Sequence, residues 1–280
     1  MNTVSLLRHF NAHVGRVAPS LVARLARNLM LRPRRAGFAA DPPGARRVTF
    51  ASGLSGLRWG EHGRAVLLLH GWEGSAAQFA PLAERIVASG RSAVALDAPA
   101  HGRSPGREAT LMAFARALQR TARQVGDVES VAGHSLGGAA AVLALSHGMR
   151  ADRAVLIAAP ASIEAYLHRF ARALALPPVA TQRFIRHLEV ANGVPAQAFE
   201  IARLAGWLRQ PVLIVHDRDD ARVPFREGAS IARAWQGARL LATRGLGHSR
   251  VLAESSVADR IAAFLAPPAN FTMQARVVNG

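Results

Sequence analysis

The chain has 280 residues, half of them hydrophobic, no cysteine and a formal net charge of +17. That size suits one sizeable α/β core, and the missing cysteine excludes disulfides, a thiolate nucleophile and cluster ligands. All 35 basic residues are arginine, which excludes a P-loop lysine, a Schiff-base lysine and a serine–lysine dyad.

The basic charge is scattered, and no helix-turn-helix, zinc-finger or RNP pattern accompanies it, so nucleic acid is not expected as a partner. Residues 1–45 are the one uneven stretch, with Arg8, Arg16, Arg24, Arg27, Arg32, Arg34 and Arg35 against the single acid Asp41. Leu6, Leu7, Phe10, Val14, Val17, Leu21, Val22, Leu25 and Leu29 recur there at helical spacing, with Pro19 as a break. This is a basic amphipathic extension. The favoured expectation is that its apolar stripe packs on the domain; the alternative is peripheral membrane or partner contact. The arginines interrupt every candidate secretory core, and no apolar run is long enough to span a bilayer, so a cytoplasmic location is expected. Pro33 to Pro43 reads as a linker.

From residue 46 the pattern changes. Val48–Phe50 and Leu54–Trp59, separated by Ser52-Gly53, suit an antiparallel edge hairpin. Short apolar runs then alternate with helical stretches. Strands are expected at 65–69, 93–96, 128–131 and 154–158, and helices at 76–88, 110–125 and 139–145. From 161 to 208 the alternation stops, and a helical pattern broken by Pro177-Pro178, Gly193 and Pro195 takes over. It resumes with strands at 212–215 and 239–242 and helices at 227–235 and 251–264. Such alternation predicts a mostly parallel sheet with helices on both faces. The core would be 46–160 plus 209–265, with 161–208 a helical cap or lid inserted at the carboxyl ends of the strands, where such sheets bind ligands. Residues 266–280 form a tail with no clear element.

The chemistry gathers at the predicted strand ends. Gly133-His134-Ser135-Leu136-Gly137-Gly138, between a strand and a small-residue helix, has the context of a nucleophile elbow. A serine on such a turn needs a base, an acid and an oxyanion hole. His248, in Gly245-Leu246-Gly247-His248-Ser249 after the last strand, is the base. The acid follows the penultimate strand, where Asp217, Asp219 and Asp220 compete. The Asp-x-x-Val223-Pro224 spacing favours Asp220, Asp219 remains a competitor, and Asp217 lies close to the strand. The chain order is serine, acid, histidine. The oxyanion donors would be the N–H groups of Leu136 and of Trp72, the latter in the His70-Gly71-Trp72 loop. His70 orders that loop. No metal-ligand spacing is present, and the chemistry calls for neither cofactor nor metal.

With these residues in view, the chain resembles the α/β-hydrolase superfamily over roughly residues 46–265. The resemblance rests on His70-Gly71-Trp72, Asp97-x-Pro99-x-His101-Gly102-x-Ser104, the hexapeptide around Ser135, Asp220-x-x-Val223-Pro224 and Gly247-His248. It implies an α/β-hydrolase fold and gives Ser135, Asp220, His248 and Trp72 the roles of nucleophile, acid, base and oxyanion-hole residue. The 161–208 segment falls where that family carries its variable cap. Ala100 departs from the glycine common at its position, which bears on the local turn. A serine nucleophile sets the chain apart from the aspartate-using dehalogenase and epoxide-hydrolase branches.

The expected activity is hydrolysis of a small-molecule carboxylic ester through an acyl-enzyme. The same residues would also serve an acyltransferase, thioesterase, lactonase or C–C hydrolase, and the fold also serves non-catalytic binding proteins. Nothing in the chain sets an oligomeric state. Tyr166, Phe170, Phe184 and Phe199 either line an apolar pocket or form the insertion's own small core.

Overall fold

The computed structural model describes residues 3–35 and 40–266. The expected tail lies almost wholly outside them, as does the middle of the expected linker. The amino-terminal amphipathic stretch forms two helices, α1 (Thr3–Val17) and α2 (Pro19–Leu31), with Pro19 at the start of the second. Proline suits that first position because its missing N–H would have no partner there.

The strands are β1 (Arg46–Thr49), β2 (Ser55–Trp59), β3 (Ala65–Leu69), β4 (Ser92–Leu96), β5 (Val128–His134), β6 (Arg153–Ile157), β7 (Val212–Asp217) and β8 (Arg239–Thr243). They form one sheet in the order β1-β2-β4-β3-β5-β6-β7-β8. The β1–β2 and β2–β4 pairs are antiparallel and the rest parallel. The expected edge hairpin is therefore present. From β3 the chain steps outward to β4 and then returns across β3 to β5. This reversal opens a crevice at the carboxyl ends of β3 and β5, where open α/β sheets bind ligands.

Both faces of the sheet are buried, which is why β3 and β4 read as continuous rather than alternating apolar runs. Leu67, Leu69 and Val131 point into a core shared with α4 (Leu111–Val125) and α5 (Leu136–Ser146). Val66, Leu68 and Ala132 point the other way, against α3 (Ala80–Ala88) and the last helix. The expected helix at 76–88 begins as a 3-10 turn over Ala76–Phe79, with Pro81 in the first turn of α3.

Between β6 and β7 lie α6 (Ile163–Ala173), α7 (Pro178–Asn192) and the short α8 (Ile201–Ala205). Helix α9 (Phe225–Ala234) follows β7. Glu227 on α9 pins the start of this insertion, accepting the Ala161 N–H at 3.0 Å and pairing with Arg169 of α6. The N-terminal helices are tied both to this insertion and to the segment just before α4. Asn11 of α1 donates to the Leu174 carbonyl at 2.9 Å, Arg27 of α2 grips Glu108 with two bonds of 2.8 and 2.7 Å, and the Ala109 N–H donates to the Leu31 carbonyl at 2.8 Å.

After β8 the chain differs from expectation. The closing helix does not begin at Val251. A four-residue helix, α10 (Gly247–Arg250), comes first, and α11 (Ser255–Leu265) starts after a turn, with the Glu254 side chain accepting the Ser256 N–H. An acceptor at the N-cap satisfies an otherwise unpaired N–H, which is why the helix starts there. Among the described residues no helix is long and apolar enough to cross a membrane.

Candidate active site

Ser135 sits at the turn from β5 into α5 with φ 51° and ψ −119°. A non-glycine residue in that region is strained, and strain of this kind concentrates at functional sites. The surrounding glycines permit the turn. A Cβ on Gly137 would lie 2.1 Å from the Leu69 carbonyl oxygen, and one on Gly133 would lie 2.4 Å from the Gly137 carbonyl oxygen. The strand and helix can pack this closely only without those side chains.

Three side chains from three loops meet here. The Ser135 hydroxyl donates to His248 Nε2 at 3.0 Å, and His248 Nδ1–H donates to Asp220 Oδ2 at 2.8 Å. The Asp220 side chain is fully buried and its other oxygen accepts the N–H groups of Arg222 and Val223 at 2.8 and 2.9 Å. Burial pushes the Asp220 carboxyl up, but hydrogen bonds from His216, His248 and the Val223 N–H outweigh that and hold it well below the usual carboxylate range. It is therefore a carboxylate facing an imidazole whose proton it fixes on Nδ1, leaving the Nε2 lone pair for the serine hydroxyl.

The other two aspartates have different work. Asp217 accepts from the Thr243 hydroxyl at 2.7 Å, the Leu246 N–H at 3.1 Å and the Asp219 N–H at 3.0 Å. Asp219 accepts the Gly245 N–H at 2.9 Å. Both tie the loop after β7 to the loop that carries His248. Neither reaches the imidazole in the contacts of this site; of the three, Asp220 is the one hydrogen-bonded to His248.

Two more histidines frame this arrangement. His134 Nε2–H donates to the His248 carbonyl at 2.8 Å, and its ring lies 4.9 Å from that of His248. Burial, with His248 nearby, lowers its pKa to about 4. His216, fully buried at the end of β7, donates from Nε2 to the Val223 carbonyl at 2.8 Å and stands 3.5 Å from Asp220 Oδ2. Sequence reading passed over His216; a histidine near the end of an otherwise apolar, fully buried strand was the available signal.

On the opposite side lies the loop after β3. The N–H groups of Trp72 and Leu136 have no hydrogen-bond partner among the described residues. Leu136 opens α5, where the first N–H groups of a helix are unpaired by construction. His70 orders the Trp72 loop. Its Nδ1–H donates to the Gly71 carbonyl at 2.7 Å and its Nε2 accepts the Ala98 N–H at 3.0 Å. Burial, with His101 beside it, lowers the His70 pKa to about 3, so the ring is neutral. Asp97 serves as a turn organiser, accepting the N–H groups of Ala76 and Arg103 at 2.8 and 3.1 Å. Ala100 takes φ 65°, the left-handed conformation a glycine would adopt, so the turn keeps its shape despite the alanine.

Two hollows adjoin the serine. A cleft exposes Ser135 and His248 and is rimmed by Glu73, Gln78, Tyr166 and Arg222. An apolar pocket lies beside it, lined by Trp72, Leu136, Ile163, Tyr166, Leu188 and Phe199, with Met30 and Leu31 of α2. Trp72 and Tyr166 border both. Of the four aromatics in the insertion, Tyr166 and Phe199 thus line the pocket, whereas Phe170 and Phe184 stack on each other at 5.7 Å. Among the described residues no three His, Cys, Asp or Glu side chains are grouped to share a metal ion.

The sequence profile of the alpha/beta hydrolase family matches residues 66–264. Among solved structures, an esterase of Pyrococcus furiosus is similar with a TM-score of 0.62 at 20% identity, covering 85% of this chain and 97% of that one. A putative lipase from Acinetobacter baumannii gives 0.62 at 17% identity over 89% and 95%. An N-acyl homoserine lactone degrading enzyme gives 0.60 at 17% over 78% and 99%. At these identities the likeness is one of fold. No curated protein matches the chain.

Proposed function

This chain belongs to the alpha/beta hydrolase family, and on that premise we propose that it is a serine hydrolase cleaving carboxylic esters through an acyl-enzyme. The observation that carries the reading is the unbroken hydrogen-bonded run from the Ser135 hydroxyl through His248 to the buried Asp220 carboxylate. In this mechanism His248 Nε2 takes the hydroxyl proton as Ser135 Oγ attacks the ester carbonyl. The Asp220 carboxylate stabilises the imidazolium that forms. Negative charge developing on the carbonyl oxygen meets the unpaired N–H groups of Trp72 and Leu136. His248 then gives its proton to the leaving alcohol, and on the return half it activates water to release the acid.

The two hollows divide the substrate. The apolar pocket receives the acyl chain, since its lining offers almost no polar partner. The alcohol portion leaves through the cleft at Glu73, Gln78 and Arg222. Helices α6 to α8 act as the cap, because Ile163, Tyr166, Leu188 and Phe199 supply one wall of the acyl pocket. No cofactor takes part in these steps.

The test is Ser135→Ala assayed on p-nitrophenyl esters of graded chain length. Turnover should fall by about 10⁴-fold or more, as when a nucleophile of this kind is removed, and labelling by a fluorophosphonate probe should be lost. Unchanged turnover sinks the assignment.

A further inference from the structure

The face of α2 opposite its buried side has no partner in the fold. Val22, Ala23, Ala26 and Leu31 are buried, and Met30 and Leu31 reach the apolar pocket. Leu21, Leu25 and Leu29, spaced four apart and so on one stripe of the helix, are 42%, 39% and 50% exposed. On α1, Leu6, Phe10 and Val17 are exposed as well. These six are the majority of the eleven large apolar side chains exposed among the described residues. Scattered single exposures are ordinary, but a concentration on two adjacent helices marks an interaction surface.

Its charge points to the occupant. Neither helix contains an acid. Arg16 and Arg24 are exposed and make no hydrogen bond or ion pair among the described residues. A second copy docked through the same face would set these arginines against their own counterparts, because a two-fold contact opposes a patch to itself. An anionic lipid surface instead accepts the guanidinium groups at its headgroups while the leucines and Phe10 enter the acyl boundary.

We propose that α1 and α2 form a docking surface for an anionic phospholipid bilayer. The inner side of α2 walls the pocket next to Ser135, so docking sets that pocket beside the lipid phase. Only this second consequence rests on the ester-hydrolase reading; the docking itself does not.

The full chain is co-sedimented with vesicles of phosphatidylcholine alone and of phosphatidylcholine with a quarter phosphatidylglycerol, at low and high salt. The expected result is pelleting with the anionic vesicles at least about tenfold stronger than with the neutral ones. The Leu21→Ser/Leu25→Ser/Leu29→Ser variant should lose about tenfold or more of that binding, and Arg16→Glu/Arg24→Glu likewise. Both should keep wild-type turnover of a short, water-soluble ester. Where the serine variant does not fold, the three alanine substitutions take its place. Equal pelleting of wild type and the leucine variants would reduce the effect to adhesion by net charge and overturn the proposal. So would absent vesicle binding, or a wild-type dimer in light scattering that the leucine substitutions make monomeric. Because vesicle binding needs no turnover, its failure is distinct from a failure of the hydrolase reading.

Discussion

The three aspartates after β7 show how neighbouring residues of one type divide into different tasks. All three lie within four positions at the end of one strand, and turn propensity alone does not rank them. Asp220 meets His248, whereas Asp217 and Asp219 accept N–H groups of the loop that carries it. The corresponding asparagine variants should therefore separate. Asp220→Asn should lower kcat by about 10⁴-fold with the fold intact, since the amide favours the wrong imidazole tautomer. Asp219→Asn, at an exposed single bond, should cost less than about tenfold. Asp217→Asn should act mainly through stability, because it weakens bonds to both Thr243 and Leu246. Steady-state kinetics with urea unfolding on the three variants checks the order. An Asp219→Asn loss as large as that of Asp220→Asn would contradict it. The candidate nucleophile and candidate base were legible from spacing, because an elbow and a glycine-flanked histidine have local signatures. The choice among the aspartates and the role of His216 were not, since they depend on which loops touch.

At the scale of elements, the alternation of apolar runs with helical stretches gave β3, β4 and β6 to within a residue or so at their ends. Two-sided burial makes such strands continuously apolar, and that leaves a strong local signal. The start of the last helix was missed because its N-cap is Glu254, an acceptor that sequence patterns rank below serine, threonine, aspartate and asparagine. The two-faced character of α2 was also hidden. Its apolar residues read as one stripe meant for the domain, yet they divide between an inner face and an exposed row. That division carries a prediction for the pocket. Met30→Trp, at a half-buried position on the lining, should shorten the accepted acyl chain. The ratio of kcat/KM for p-nitrophenyl octanoate over acetate should drop by about tenfold or more, with the acetate value nearly unchanged. A uniform loss on both esters would mean that α2 does not shape the acyl site.

For the molecule as a whole, the buried histidines make stability depend on pH in a defined direction. His134 and His70 have folded pKa values lowered to about 4 and about 3, against about 6.5 for an unfolded histidine. Below pH 6.5 the unfolded chain therefore binds protons that the folded chain refuses. Stability is fully present above that value and falls as pH drops toward 4. Each histidine contributes on the order of 2–3 kcal/mol of loss by pH 4.5. The Asp220 carboxylate, held low by its partners, adds its own loss only below about pH 4, the range of an unfolded aspartate. Urea midpoints at pH 7.5, 6.0, 5.0 and 4.5, in enough salt to screen the +17 charge, check this. A flat series contradicts it, and His134→Gln should shallow the slope. By itself the sequence determined the fold class, the sheet's parallel character, the elbow at Ser135 and the order of the candidate residues, because periodicity and turn chemistry are written locally. The tertiary structure alone decided the partner of His248, the hydrogen bonds that hold its loop, the pocket shared by the insertion and α2, and the face of α2 left uncovered. Each of those depends on contacts between segments far apart in the chain, and such contacts exist only once the sheet brings the strand ends together.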